Sequence, residues 1–259
     1  MSVQKLGDRI KSMYEGRSAA YLPRRSYTII RIDGKNFSNY TRWLTKPFDV
    51  DLAADMDAVT ETLCSEVMGC RMAYTQSDEI SLVLTDFEQA NSDSWFDGNL
   101  QKTVSVAASI ATAVFNRARL LRVPSCSPAY FDARALSISD REEVINYLVW
   151  RQTDAVRNAV SSIARVALSH KEMDGVGLGD LRAILLERGV DVETFPQGFL
   201  NGRVVIKERY SATTTNPMTG DHCEANRARW AAMPAKLFVE NSLPLDWIPA
   251  RPPFSRNSN

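Results

Sequence analysis

Two acidic turns carry the residues of this chain that are best suited to chemistry. The dipeptide Asp33-Gly34 ends the β-branched run 27–32, and Asp78-Glu79 lies between two later apolar runs. Each turn alone is only a common polar turn. If the first strand and a following hairpin lie side by side, Asp33 and Asp78 converge, and two like charges are costly unless a cation neutralises them. Oxygen ligands without nearby His or Cys favour Mg²⁺ over zinc or copper.

Carboxylates that hold Mg²⁺ in this way serve phosphoryl and nucleotidyl transfer. Two such ions about 3.5–4 Å apart can stabilise both the attacking and the leaving oxygen. Gly34 would let the backbone pass close to a ligand, so that its carbonyl faces a cation and the following amides face phosphate oxygens. Lys46 is either a point charge for a triphosphate or a solvated lysine before a helix. The pattern therefore predicts a magnesium-dependent transferase site and leaves the role of Lys46 open.

The spacing of apolar residues predicts the elements that hold these turns. The run 27–32 is nearly continuous and β-branched, as in a buried central strand. The next predicted elements are a helix over 49–68, strands over 71–75 and 80–84, a helix over 103–121 and a weaker strand over 129–132. This order is the ferredoxin-like βαββαβ arrangement of the α+β class.

The second half of the chain is predicted to be mainly helical. Helices are expected over 141–169 and 178–188, with a late strand over 203–207. The proline-rich tail after Pro244 is expected to be loosely ordered. We therefore divide the chain into a catalytic core over 1–135 and a helical C-terminal extension over 136–259, packed on the same domain.

The composition excludes several classes of protein. Lys plus Arg and Asp plus Glu each total 31, so RNA would need a local basic patch. Four scattered cysteines form neither a zinc motif nor a disulfide framework, and the two histidines lie in no recognisable motif. The apolar stretch 104–115 is too short and polar to span a membrane, and the N-terminus lacks a secretory signal. We expect a cytoplasmic protein with no membrane partner.

Four motifs, taken in order, resemble the tRNA-His guanylyltransferase family. They are Arg31-Ile32-Asp33-Gly34-Lys35-Asn36-Phe37, Lys46-Pro47, Gln76-Ser77-Asp78-Glu79, and Trp150-Arg151-Gln152-Thr153-Asp154 followed by Asn158. No single motif is specific for the family, but the combination of all four, in this order and at these separations over residues 5–210, is specific. The resemblance implies a catalytic domain like the palm of ordinary polymerases. It also implies addition of nucleotides to the 5′ end of tRNA, opposite to normal synthesis.

The resemblance implies a role for each matched position. Asp33 and Asp78 would ligate two Mg²⁺ ions together with the Gly34 carbonyl, and Glu79 would support this catalytic turn. The implied nucleotide-binding residues are Lys35, Asn36, Phe37, Ser38, Lys46, Ser77 and Asn158. The candidate RNA contacts are Arg151, Arg157, His170 and Lys171. A homotetramer is also expected from the resemblance.

The implied reaction joins a 5′-monophosphorylated tRNA to ATP, GTP or other nucleoside triphosphates. ATP first adenylylates the 5′ end, which the 3′-hydroxyl of the incoming nucleotide then attacks. Where eukaryotic members carry His-Ile-Asn-Asn, this chain has Val-Arg-Asn-Ala over 156–159. It is therefore more similar to the bacterial and archaeal guanylyltransferase-like branch, which is associated with template-dependent repair of truncated tRNA 5′ ends. Addition of guanosine to tRNA-His is the narrower alternative.

Two other functions suit a similar fold. A nucleotidyl or diguanylate cyclase also uses a palm with two carboxylates, but the sequence has no Gly-Gly-Asp-Glu-Phe run. A non-catalytic RNA-binding module would display stacking aromatics on its sheet. The first predicted strand instead offers mostly Ile, and the carboxylates would have no role.

Overall fold

The computed structural model describes residues 5–89, 91–215, 218, 222–236, 238 and 247–252. The strands are β1 Tyr27–Gly34, β2 Cys70–Gln76, β3 Glu79–Thr85, β4 Phe131–Ile138, β5 Arg203–Thr215 and β6 His222–Pro234. The α-helices are α1 Leu6–Ile10, α2 Phe37–Tyr40, α3 Val50–Glu66, α4 Leu100–Arg122, α5 Arg141–Ala167, α6 His170–Met173, α7 Leu178–Glu187 and α8 Gln197–Leu200. A π-helical turn follows α1, and short 3₁₀ turns cover 41–43, 95–98 and 192–194.

The six strands form one antiparallel sheet in the order β4-β1-β3-β2-β5-β6. Strand β1 is central and pairs with β3 on one side and β4 on the other, so Asp33 lies opposite both Glu79 and Asp132. Only residues 203–205 of β5 pair with β2. The remainder of β5 and β6 extends beyond the sheet as a paired two-stranded ribbon.

Helices cover both faces of the sheet. On one face α3 and α4 pack over Ile30 and Ile32, and on the other α5 packs over Tyr27 and Ile29. The alternation of side chains along a strand explains this division, because successive residues point to opposite faces. Both faces of β1 are therefore buried, as its continuous apolar sequence predicts. A third apolar cluster joins the C-terminal half of α5 to α7 and α8.

An ion-pair cluster fastens α3 to α4. The fully buried carboxylate of Asp55 accepts hydrogen bonds from Arg119 at 3.0 Å and Arg122 at 2.8 Å. A buried carboxylate needs such partners because its desolvation is otherwise unfavourable. These two arginines at the end of α4 thus serve the fold.

The predicted elements agree with the structure through α3, β2, β3, α4, α5 and α7, and differ in three strands. Strand β4 begins at Phe131, whereas the prediction placed it over 129–132. Asn116 accepts from the Ala129 amide and donates to its carbonyl, each at 2.8 Å, which keeps Ala129 out of the ladder. Strand β5 is much longer than the predicted 203–207, and β6 was not predicted.

Helix α4 meets the length and composition requirements of a membrane-spanning helix. Core helices can pass the same test, and Ala107, Ala111 and Phe115 of α4 are fully buried in the core between the sheet and α3. Only 22% of its most apolar stretch is buried, so α4 contributes one face to the core and leaves the other face exposed.

Part of the predicted tail packs against the body of the protein. Residues 244–246 and 253–259 lie outside the described residues. Within 247–252, Ile248 is buried, and the Tyr27 hydroxyl donates to the Pro249 carbonyl at 2.7 Å. The expectation of loose order is therefore wrong for this segment.

Candidate active site

The two acidic turns meet at one end of the central strands. Asp33 is the penultimate residue of β1, and a two-residue turn, Ser77-Asp78, joins β2 to β3. Ser77 adopts a left-handed backbone with φ 50°, and its hydroxyl donates to the Asp78 carboxylate at 3.0 Å. Because Asp33 pairs with Glu79 across β1 and β3, the turn places Asp78 beside Asp33. The convergence expected from the sequence is present.

The electrostatics of this pair suit a bound cation. Burial, and then the negative charge of Asp33, raise the pKa of Asp78 to about 6. Burial, and then the nearby charge of Asp132, raise the pKa of Asp33. Within the described ranges no group of three or more His, Cys, Asp or Glu side chains forms a ready metal cage. The charges of Arg134, Arg31 and Arg151 oppose the shift of Asp33 only in part. Two such hard carboxylates fit Mg²⁺, which usually takes one or two protein carboxylates and completes its shell with water or phosphate oxygens.

Gly34 is required for packing as well as for any role of its carbonyl. A Cβ atom at this position would lie 2.2 Å from the ring of Phe37. That ring is buried and packs against Phe115 and Phe131 at centroid distances of 5.4 and 5.1 Å. The glycine thus lets an aromatic cluster pack directly beneath the end of β1 that carries Asp33.

Asp132 is a site residue that the sequence reasoning missed. It is the second residue of β4 and lies opposite Asp33 in the register, where its exposed carboxylate binds Arg134 at 3.3 Å. Its sequence signal is the alternation Phe-Asp-Ala-Arg over 131–134, which places polar side chains on one face of a strand. Because β4 was predicted over 129–132, the alignment of Asp132 with Asp33 and Glu79 on neighbouring strands was not foreseen.

Glu79 is buried and held by Arg151 from α5. Both guanidinium contacts to the Glu79 carboxylate measure 2.7 Å, and Arg151 also binds Asp154 at 2.7 Å. Burial raises the pKa of Glu79, although the hydrogen bonds and charge of Arg151 oppose that shift. Glu79 therefore positions the turn instead of facing a ligand freely. Arg151, with its side chain 9% exposed, is engaged in this pair, and the geometry does not favour its expected RNA contact.

A cavity beside the turn gathers four of the expected nucleotide-binding residues. We call it the Lys46 cavity; it measures about 270 Å³ and is lined by Ser38, Lys46, Ser77 and Asn158 among others. The Lys46 ammonium donates to the Thr41 carbonyl at 2.9 Å, which holds it at the rim. The cavity joins the turn after β1, the β2–β3 turn and helix α5, so residues far apart in sequence face one space.

The remaining three expected nucleotide-binding residues lie elsewhere. The Lys35 amide is already bound to the Tyr130 carbonyl at 2.8 Å, so it is not available to phosphate. The ring of Phe37 is buried in the core, which leaves only its backbone exposed to a ligand. Lys35 and Asn36 line a second space, which we call the Trp43 cavity. The Lys35 amide is therefore excluded from the expected phosphate contacts, whereas the nucleotide-binding roles expected of Asn36 and of the Phe37 backbone stay predictions.

The expected RNA contacts on and after α5 form two separate pairs: Arg151 and Arg157, which both bind Asp154, and His170 and Lys171 on α6. Arg157 is exposed and binds Asp154 at 2.6 Å. His170 and Lys171 are exposed on α6, beyond the end of α5. The helix from Arg151 to Ala167 alone covers about 24 Å. Neither His170 nor Lys171 lines the Lys46 or the Trp43 cavity.

Comparison with known proteins gives consistent matches. A family model described as tRNAHis guanylyltransferase matches residues 7–139, just over half of the chain. A solved bacterial tRNA(His) guanylyltransferase-like protein in complex with ATP is 35% identical with a TM-score of 0.81, over 92% of this chain and 95% of that chain. The same kind of protein in complex with GTP is 33% identical with a TM-score of 0.72, at the same coverage.

A curated relative matches a shorter region. The tRNA(His) guanylyltransferase of Schizosaccharomyces pombe is 33% identical over 133 residues, which is 50% of this chain. The chain spans 49% of that relative's length. The family-matched segment contains Asp33, Gly34, Lys46 and Asp78, which the fold brings to one end of the sheet. Sequence motifs, site geometry and structural similarity agree that this chain belongs to the tRNA-His guanylyltransferase family.

Proposed function

We propose that this protein adds nucleotides to the 5′ end of tRNA in the 3′-to-5′ direction, guided by the opposite strand. In this proposal, β1–β4 with α3 and α4 form a palm-like, ferredoxin-like core, and the later elements extend it. Because β4 continues to Ile138, the core reaches three residues past the predicted boundary at 135. The observation that carries the proposal is the meeting of Asp33 and Asp78 beside the Lys46 cavity. Family membership supports the choice of tRNA as the acceptor.

Asp33, Asp78 and the Gly34 carbonyl would hold Mg²⁺. Burial raises the pKa values of both aspartates, and the charge of a neighbouring carboxylate adds to each shift. No cationic side chain in the described part of the chain forms an ion pair with either one, which leaves both carboxylates open to a metal ion. Mg²⁺ would stabilise charge that develops on the transferred phosphoryl group. Glu79, fixed by Arg151, keeps the β2–β3 turn in the position that this binding needs.

The Lys46 cavity would hold the nucleoside triphosphate. The Lys46 ammonium and the Ser38 hydroxyl supply donors for phosphate oxygens, and Asn158 offers an amide from α5. The Ser77 hydroxyl lines the same cavity but donates its hydrogen to Asp78. Similarity to bacterial proteins that bind ATP and GTP supports both as substrates here. The amides of Asn36 and Ser38, at the turn after β1, can add backbone donors.

The proposed reaction has two transfers at one site. An oxygen of the tRNA 5′-phosphate attacks the α-phosphorus of ATP, and pyrophosphate leaves. The 3′-hydroxyl oxygen of the incoming nucleotide then attacks the 5′-phosphate phosphorus, its proton is lost, and AMP leaves. Both steps depend on alignment and on stabilisation of phosphoryl charge. We propose a cytoplasmic homotetramer as the working form, in keeping with the family.

The test supplies the protein with a 5′-monophosphorylated tRNA that lacks its first nucleotide, together with Mg²⁺, ATP and labelled nucleotides. Wild type should extend the tRNA with the nucleotide complementary to the 3′ strand. Asp78→Asn should lose at least about 100-fold in rate, because it removes a group that acts in both transfers. Asp180→Asn, an exposed aspartate on α7, should extend at the wild-type rate.

Three results would contradict the proposal. RNA-independent turnover of GTP would indicate a cyclase. Binding of tRNA without any extension would indicate a non-catalytic RNA-binding protein. Equal activity of Asp78→Asn and wild type would contradict the assignment of Asp78 to the active site, even if the tRNA were extended.

A further inference from the structure

The Trp43 cavity is a larger space that the proposed chemistry does not use. It measures about 650 Å³ and lies between the helical segment 36–44 and the connection 123–130 that joins α4 to β4. Residues 36, 39, 40 and 43 share the face of the helical segment that lines it, whereas residues 38, 41 and 45 line the Lys46 cavity. The segment 36–44 therefore separates two cavities.

Two aromatic rings stand exposed in its wall. The Trp43 side chain is 86% exposed, and that of Tyr130 is 57% exposed. Rings so exposed contribute little to the core, because the hydrophobic gain depends on the area removed from water. Exposed aromatic rings beside polar groups are what single-stranded RNA requires, since any nucleobase can stack on them.

The charge of the cavity favours an anionic ligand. Its described lining contains no Asp or Glu, and it contains the cations Lys35 and Arg119. Arg119 is paired with Asp55, but Lys35 is exposed and makes no ion pair within the described residues. Ser125 and Ser127 add hydroxyl groups to the same wall. A nucleotide would match these groups if its phosphate lay near Lys35 and its base stacked on Trp43 or Tyr130.

The cavity adjoins the acidic end of the sheet. Lys35 follows Asp33 by two residues, Tyr130 precedes Asp132 by two, and the Lys35 amide donates to the Tyr130 carbonyl. A ligand in the cavity is thus next to the point where the RNA 5′ end must sit. In an RNA duplex, an unpaired 3′ end emerges beside the 5′ end.

We propose that the Trp43 cavity binds an unpaired nucleotide of the 3′ strand of the RNA, with its base stacked on Trp43 and Tyr130 and its phosphate near Lys35. This inference rests on the proposed function for the presence of a duplex 5′ end at Asp33 and Asp78. Holding the 3′ strand here fixes the duplex end relative to the Lys46 cavity. Trp43 and Tyr130 are then positioning residues and do not touch the reacting atoms.

Binding of short fluorescent RNA duplexes without Mg²⁺ or nucleotide, measured by anisotropy at fixed salt, tests the inference. One duplex carries an unpaired 3′ end and the other is blunt. Trp43→Ala should weaken binding of the first by about 5- to 100-fold, the range expected for loss of base stacking, and leave the blunt duplex unchanged. Trp43→Phe should retain most of the affinity, and Tyr14→Ala, which removes an exposed aromatic ring outside the cavity, should match wild type.

Other outcomes overturn the inference. Equal weakening for both duplexes would indicate a general effect on RNA binding or folding, and no weakening would leave the cavity without this ligand. Weaker binding of free ATP or GTP with unchanged RNA binding would assign the cavity to a free nucleotide. Because these measurements need no catalysis, an overhang-dependent effect in a protein that extends no tRNA would reject the proposed function alone. Extension without that effect would reject this inference alone.

Discussion

At the scale of single residues, the acidic end of the sheet carries negative charge that destabilises the folded protein. Asp33 and Asp78 lie together with no cationic side chain bound to either carboxylate within the described residues. Burial and mutual repulsion work against the ionised form. Until a cation binds, the ionised carboxylates therefore destabilise the folded state.

The pH dependence of stability should reveal this charge. The pKa of Asp78 rises from 3.8 to about 6 in the folded protein. A carboxyl group with a raised folded pKa has no effect on stability well below pH 4, and destabilises the fold increasingly as pH rises from about 4 to about 6. Without metal, Asp78→Asn should therefore raise the free energy of unfolding at pH 7 by roughly 1–3 kcal/mol, with little gain at pH 4.

Urea unfolding between pH 4 and pH 7 in the presence of a chelator would measure that gain. Asp180→Asn is the control: its carboxylate is exposed in the first turn of α7, where replacing it should change stability by less than about 1 kcal/mol. If the gain from Asp78→Asn were constant across this range, repulsion in the folded state would not be its cause.

The residue types of the site were predictable, but their grouping was only partly so. The carboxylates follow from two short motifs, and the fold brings them together because the turns adjoin neighbouring strands. The division of residues 35–38 among the core and two cavities was not predictable, since it depends on the helical turn over 37–40 and on a backbone bond to Tyr130. Those contacts involve chain segments almost 100 residues apart.

At the scale of elements, the Glu79–Arg151 pair joins β3 to α5. Arg151→Met would leave the buried Glu79 carboxylate without its partner and should lower the free energy of unfolding by about 3–5 kcal/mol. Replacing both residues, as Glu79→Gln with Arg151→Met, should recover part of this loss, because no buried charge then remains. Urea unfolding at pH 7 measures all three proteins.

Arg157→Met is the matched control for that experiment. Arg157 bonds to the same network through Asp154, but it is exposed, so its removal should change stability by less than about 1 kcal/mol. Equal losses in the free energy of unfolding for Arg151→Met and Arg157→Met would show that burial of the Glu79–Arg151 pair does not cause the loss.

Strand prediction succeeded where a strand is buried and failed where it is not. Strand β1 has both faces in the core, and its sequence is accordingly apolar throughout. Strands β5 and β6 pair mainly with each other, and their exposed ribbon is rich in Thr, Arg and Ala. Such a ribbon needs no apolar face, so the local sequence carries little of the period-2 signal that identifies a strand.

At the scale of the whole molecule, Gln152 connects three separate parts. Its side-chain amide donates to the carbonyls of Asn201 and Lys236 at 3.1 and 3.0 Å and accepts from the Phe238 amide at 2.7 Å. It therefore holds α5, the turn before β5 and the segment after β6 together. The sequence motif containing Gln152 gave no indication of this role.

Gln152→Leu should destabilise the protein by about 2–4 kcal/mol, since buried backbone groups would lose their partners. Limited proteolysis should also cut the segment after β6 faster than in wild type. Thr153→Ala, at the exposed neighbouring position, should stay within about 0.5 kcal/mol of wild type in the same urea unfolding measurement. Faster cleavage without a loss of stability would mean that Gln152 holds only the C-terminal segment.

The central position of β1 has a consequence for the order in which the chain folds. Asp33 pairs with Asp132 and Tyr27 with Ile138, so the end of β1 that carries Asp33 lacks one neighbour until residue 132 has been synthesised, and the whole strand until residue 138. Pairings this distant close slowly, because a long loop must be ordered before they form. During translation the acidic end of the sheet therefore completes its strand pairing late. Until β4 leaves the ribosome, one edge of the apolar strand β1 is unpaired and can aggregate.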